Sequence, residues 1–204
     1  MPVNAAQPKK PNPLLVANGP GGLHNFWQVA PGLYRGAQPD KSQLEGLKQL
    51  GIKTVVSLRH NQYQVSKERK QVEALGMTFK HLSMDGLRPP NKATINSFLA
   101  TAQDRTSQPV FVHCEVGADR TGCLIAIYRE AVDDWSAKKA YDEMVSKGFE
   151  KKYAWLSDAV FDYEEDHKGI YSKERPANVK LLDSLRLIKW HRKLSKEPSA
   201  GSGS

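Results

Sequence analysis

The chain has 204 residues, 39% of them hydrophobic and 25% charged, with a formal net charge of +8. That is enough for one domain with a sizeable core and some extensions, and no stretch has the length and apolarity of a membrane span. The positive charge is uneven, with +6 on residues 168–204 and only +2 on residues 1–167. The basic balance is therefore a property of the C-terminal segment, either as a solvated face or as a contact surface for an acidic partner, and no nucleic acid is expected as a partner.

Residues 1–22 are rich in Pro, Asn and Gly and read as a flexible lead-in. They lack the charged-then-apolar pattern of a signal peptide. The expectation is a soluble protein, cytoplasmic as written or periplasmic if a signal peptide was removed. Residues 26–35 pattern as a strand. Asp40 or Ser42 is placed to cap a helix over 41–50 that Gly51 ends. Residues 52–58 alternate as a strand. Ser66 opens a second helix with Val72 and Leu75 on one face, and Gly76 closes it. A strand over 77–83 runs into Met84-Asp85-Gly86-Leu87-Arg88-Pro89-Pro90, where the double proline stops regular structure. An amphipathic helix fits 91–104, the central strand 109–113, and further helices 120–133, 136–147 and 153–165. Strands alternating with helices predict an α/β fold with a mostly parallel central sheet flanked by helices. Residues 176–194 read as one more helix, apolar on two sides. Residues 168–199 form the basic helical extension, and 200–204 look like a cloning linker.

The segment His113-Cys114-Glu115-Val116-Gly117-Ala118-Asp119-Arg120-Thr121-Gly122 lies between two apolar runs, Pro109–Val112 and Cys123–Tyr128. It reads as strand, tight loop, helix. Backbone N–H groups of such a loop, Glu115 to Arg120 here, and the helix N-terminus face one small concavity and attract an anion. Arg120 can grip two phosphate oxygens with its planar fork. Cys114 sits at the floor of that positive site, so its thiolate is favoured as a nucleophile. Cys123 reads as a core residue. Two cysteines make neither a disulfide framework nor a metal site, and the six histidines are scattered without ligand spacing, so neither metal nor cofactor is expected.

This loop resembles the signature of the cysteine-dependent protein tyrosine and dual-specificity phosphatases, specifically the compact dual-specificity branch seen in bacteria. Two further segments, Val29–Pro39 and Gly51–Arg59, look like the opening strands of that branch. The resemblance implies a phosphatase domain over 23–167 with a tyrosine phosphatase-like fold. It also implies a two-step hydrolysis. Cys114 attacks phosphorus to form a phosphocysteine, and water then releases phosphate. The departing oxygen needs a proton, and Asp85 stands on the loop where the family carries its acid. Asp119, inside the loop, either orients substrate and water or points to solvent. The Thr121 hydroxyl is placed to donate to the sulfur, and His113 is expected to orient the loop or to fill the core. Arg35 and Arg59 end strands near the site edge, with their roles open.

The implied substrate is a phosphorylated protein or small phosphate ester, most of all phosphotyrosine, with phosphoserine and phosphothreonine in addition. The alternatives are a phosphoinositide or inositol-phosphate phosphatase, and a catalytically silent phosphate-binding module. Glu115 and Asp119 beside the site should repel extra phosphates, which favours phosphoprotein.

Overall fold

The structure, a computed structural model, describes residues 19–169. The expected helix over 176–194, the rest of the basic extension, the terminal Gly/Ser run and most of the lead-in lie outside them. A short 3-10 turn at Pro20–Gly22 precedes β1 (Trp27–Ala30), β2 (Leu33–Gly36), α1 (Lys41–Gln49), β3 (Thr54–Ser57), α2 (Gln62–Ala74) and β4 (Thr78–His81). Then follow α3 (Lys92–Gln103), β5 (Val110–His113), α4 (Asp119–Val132), α5 (Ala137–Ser146) and α6 (Ala154–Lys168). The strands form one sheet in the order β1-β2-β5-β3-β4, parallel except for β1 against β2.

Strand residues alternate between two cores, as a period of two requires. Leu33, Val56, Val110 and Val112 face Phe98, Leu124, Met144 and Phe161 of α3–α6. Tyr34, Val55, Phe79 and Phe111 face Leu44 and Leu47 of α1 and Val65 and Val72 of α2. Every residue of α4 from Thr121 to Tyr128 is buried. That makes it the inner helix, fixed directly behind the loop that follows β5.

Two elements differ from expectation. The single strand over 26–35 is a hairpin, because Pro31-Gly32 turns the chain and Gly32 takes a positive φ of 80°. This hairpin supplies the antiparallel edge of an otherwise parallel sheet. Helix α2 starts at Gln62 rather than Ser66. The Asn61 side chain accepts from Gln64 N at 3.1 Å and caps it. The earlier start gives an inward stripe of Val65, Glu68 and Val72. Helix α1 has a full capping box, Asp40 with Gln43, and α6 runs three residues further than expected, to Lys168.

The parallel register aligns Gly36 and Ser57 with His113. The carboxyl ends of β2, β3 and β5 therefore stop level, at the edge where sheets of this kind bind ligands.

Glu130, near the far end of α4, is 1% exposed, and neither of its carboxyl oxygens finds a hydrogen-bond partner among the described residues. Burial, and next the nearby Glu164 carboxylate, push its pKa from 4.5 up to about 9. The folded chain keeps this proton while the unfolded chain releases it. The stability is fully present below the unfolded value and is lost as pH rises through the folded one. Glu130→Gln should therefore melt higher than the parent chain by a margin that widens between about pH 5 and about pH 8. An equal margin at both would contradict a protonated buried carboxyl.

Candidate active site

Cys114 follows β5 and is 1% exposed. The loop from Cys114 to Ala118 enters α4 at Asp119. Each of its carbonyls is held by a donor. His113 Nδ1 lies 2.9 Å from Cys114 O, and Gln38 N donates to Glu115 O at 3.0 Å. Asn25 Nδ2 donates to Val116 O at 2.8 Å and Arg35 Nη2 to Gly117 O at 2.6 Å. Ala118 O accepts Gly122 N at 2.9 Å. In a planar trans peptide the N–H points opposite to the C=O. Tying five carbonyls down thus turns the N–H groups of residues 115–119 the other way. Gly117 N already meets Cys114 Sγ at 3.3 Å.

Arg35 is 2% exposed. Burial lowers its pKa to about 10, opposed first by the charge of Cys114. A buried guanidinium therefore braces the loop and faces the sulfur electrostatically. Arg59 braces it from the other side. Its Nη1 lies 2.7 Å from Glu115 Oε2, and its Nη2 donates to Gln64 Oε1 on α2. Both arginines were open in the sequence, and both bind loop residues.

Arg120 projects toward the second expected element. Its Nη1 donates to Met84 O at 3.2 Å, and its Nη2 is 3.9 Å from Glu115 Oε2. Asp85 follows Met84. Its Oδ1 accepts Leu87 N at 2.8 Å, and its Oδ2 is 3.9 Å from Arg88 Nε. Trp155 Nε1 on α6 donates to Gly86 O at 3.1 Å and anchors this loop. Asp85, Gly86, Leu87, Asp119, Arg120, Tyr153 and Leu156 line one cleft of about 180 Å³. The fold thus brings Asp85 beside Asp119 and Arg120, where the loop after β5 enters α4.

Asp119 faces this cleft, and its Oδ1 also accepts Glu150 N at 2.9 Å. Burial raises its carboxyl pKa above the ordinary value. Thr121 differs from expectation. Its Oγ1 is buried and meets neither the sulfur nor any other partner among the described residues. The Gly117 amide takes the place beside the sulfur that the hydroxyl was expected to fill. Both cysteines are free, and burial raises the Cys123 thiol pKa. Asn25, Gln38 and Glu68 were missed in the sequence. Their partners lie far along the chain, and no local pattern marks them.

A family model described as "DSP-PTPase phosphatase fused to NAD+ Kinase" matches residues 28–160. The chain belongs to this dual-specificity-type protein tyrosine phosphatase family. Among curated relatives it is 31% identical over 126 residues to the dual specificity protein phosphatase TpbA of Pseudomonas aeruginosa, covering 61% of this chain and 55% of TpbA. It is 27% identical over 155 residues to the inositol diphosphatase SIW14 of Saccharomyces cerevisiae, covering 73% of this chain and 54% of that one. The chain thus spans only about half the length of these two relatives. The crystal structure of the SIW14 core with citrate shares the fold, at a TM-score of 0.62 and 22% identity, over 81% of this chain and 94% of that one. TpbA in complex with phosphotyrosine gives 0.58 at 28% identity, over 80% and 89%. Among the described residues, no helix is long and apolar enough to cross a membrane.

Gly117 is the tightest point of the signature loop. It has a φ of 78°, and a Cβ there would lie 2.3 Å from the Gly36 carbonyl. Strain of this kind costs on the order of 1–3 kcal/mol before the clash is relieved. Gly117→Ala should lower the melting temperature and weaken inorganic phosphate binding at least about tenfold, read by calorimetry. Unchanged phosphate affinity would show that the loop shape does not depend on this approach.

Proposed function

We propose that the chain hydrolyses phosphate monoesters through a phosphocysteine on Cys114, with protein phosphotyrosine as its main substrate and phosphoserine and phosphothreonine in addition. The observation that carries this reading is the pinned loop. Its inward amides, the Arg120 fork and the helix start supply positive potential around a sulfur at the floor. Cys114 attacks phosphorus, the ester P–O bond breaks, and Asp85 gives its proton to the departing oxygen. Water then attacks the phosphocysteine, with Asp85 taking its proton, and phosphate leaves. Leu87, Tyr153 and Leu156, beside Asp85 and Arg120, suit the ring of a phosphotyrosine.

A second reading, inositol diphosphates, gains from the groove on the other side of the loop. Lys41, Arg59 and Lys67 line it, together with the carboxylates Asp40, Glu68 and Glu115. Glu115 lies against Arg59, and Asp119 accepts a backbone amide. The repulsion expected from two loop carboxylates is therefore weaker than their number implies. Hydrolysis of an inositol diphosphate faster than of a phosphotyrosine peptide would favour this reading.

Cys114→Ser should abolish phosphate release from an aryl phosphate yet keep binding of phosphate analogues, and Arg120→Ala should lose both. Asp85→Asn should slow substrates with poor leaving groups by about 10²–10⁴-fold and activated aryl esters much less. Substantial turnover in Cys114→Ser would overturn the nucleophile assignment. A large loss in Asp119→Asn with a near-normal Asp85→Asn would move the acid to Asp119.

A further inference from the structure

Residues 150–155 run from the α5–α6 connection into the first turn of α6 and touch both walls of the cleft that holds Asp85. At one end Glu150 N donates to Asp119 Oδ1 at 2.9 Å, and Asp119 is the first residue of α4, directly after the Cys114–Ala118 loop. At the other end Trp155 Nε1 donates to Gly86 O at 3.1 Å, one residue past Asp85. The stretch between them is stiffened from within. Tyr153 N donates to Glu150 O at 3.0 Å, and the Tyr153 and Trp155 rings meet edge to face with centroids 5.6 Å apart. Phe149 just before it and Leu156 just after Trp155 are both buried in the core. The loop from Met84 to Pro90 is built differently. Pro89 and Pro90 carry no N–H, and Asp85 Oδ1 accepts Leu87 N within the loop itself. Contacts from outside set its place. The carbonyls on either side of Asp85 are both taken, Met84 O by Arg120 Nη1 at 3.2 Å and Gly86 O by Trp155. Under the reading above the Arg120 fork is drawn to the phosphate, whereas the Trp155 tether stays.

We propose that residues 150–155 form a bracket that fixes the Asp85 loop at its working distance from Cys114, with Asp119 and Trp155 as its positioning residues. The inference rests on the reading of Cys114 as nucleophile and Asp85 as acid. Neither positioning side chain exchanges a proton with the substrate. Asp119 spends a carboxylate oxygen on Glu150 N, and Trp155 spends its one N–H on Gly86 O. A proton donor acts only within hydrogen-bond reach of the leaving oxygen. A loosened bracket therefore lowers the share of complexes in which Asp85 is in place. The loss falls on esters that need the proton and spares those that do not.

The test compares kcat/KM for phenyl phosphate, whose leaving group is poor, with that for dinitrophenyl phosphate, whose leaving group is activated. It also follows chymotryptic cleavage after Leu87, which is 75% exposed. Cleavage reads the looseness of the loop without any chemistry at the cysteine. Trp155→Phe keeps a ring and loses the donor, and Asp119→Ala loses the acceptor. Each should raise cleavage after Leu87 and lower kcat/KM for phenyl phosphate about three- to tenfold, the worth of one hydrogen bond, with little change for the activated ester. Asp119→Asn keeps an acceptor for Glu150 N and should restore most of both readouts. Asp85→Asn combined with Trp155→Phe should lose little more than Asp85→Asn alone. If Trp155→Phe does not fold, Asp119→Ala and Asp119→Asn carry the test. Unmoved cleavage would overturn the proposal. So would equal losses on both esters, or a double variant whose losses add, in a chain whose Asp85→Asn variant does separate the two esters. Should Asp85→Asn fail to separate them, the acid assignment falls, and cleavage after Leu87 alone decides whether the bracket holds the loop.

Discussion

Backbone carbonyls held from outside the Cys114–Ala118 loop decide what its interior can do. A loop of five residues has as many carbonyls as amides, and left to itself it would offer an anion both. Here Asn25, Arg35, Gln38, His113 and the first turn of α4 take the carbonyl oxygens of residues 114–118. Peptide planarity turns the following amides inward. Under the proposed function, such a loop would be prepared before any anion arrives, which is how fixed dipoles favour a charged ligand or transition state without reorganisation at the moment of reaction.

Preparation of this kind needs buried polar groups, and burying them is costly unless they are paired. Arg35 and Glu68 are both nearly inaccessible; Arg35 Nη2 donates to Gly117 O in the segment that carries Cys114, and Glu68 Oε2 accepts Ser57 Oγ at the end of β3 and Gln38 Nε2 just after β2. The level ends of β2, β3 and β5 allow this, because Gly36, Ser57 and His113 sit side by side. Donors from three chain segments then reach one loop. The close approach of Gly117 to Gly36 has the same origin, since any Cβ at Gly117 would wedge the loop away from the strand that braces it.

Much of this was legible from residues alone, for a reason that also explains the misses. Cys114, Arg120 and the strand–loop–helix pattern lie within ten residues, where spacing carries geometry. Asp85 could be singled out through the resemblance, since its loop, punctuated by Gly86 and two prolines, stands where the family carries its acid. The alternation of strands with helices along the chain likewise foretold a sheet covered on both sides. The hairpin at Pro31-Gly32 was hidden because apolar residues continue on both sides of the turn. The start of α2 was displaced because Asn61 caps as well as Ser66 would. The braces were out of reach, since Asn25 and Arg35 bond carbonyls 91 and 82 residues away, and no local pattern records such a meeting. Thr121 was expected to meet the sulfur because its position in the motif suited it, yet the amide of Gly117 stands there instead.

The central claim is that this prepared loop makes Cys114 a covalent participant in phosphate transfer. The most direct measurement is mass spectrometry of enzyme quenched in acid during turnover of an aryl phosphate. The account predicts one phosphoryl group on the peptide containing Cys114, absent from Cys114→Ser and from enzyme quenched after the substrate is exhausted. Turnover at full rate with no phosphoryl group on that peptide, or with the group on another side chain, would contradict it.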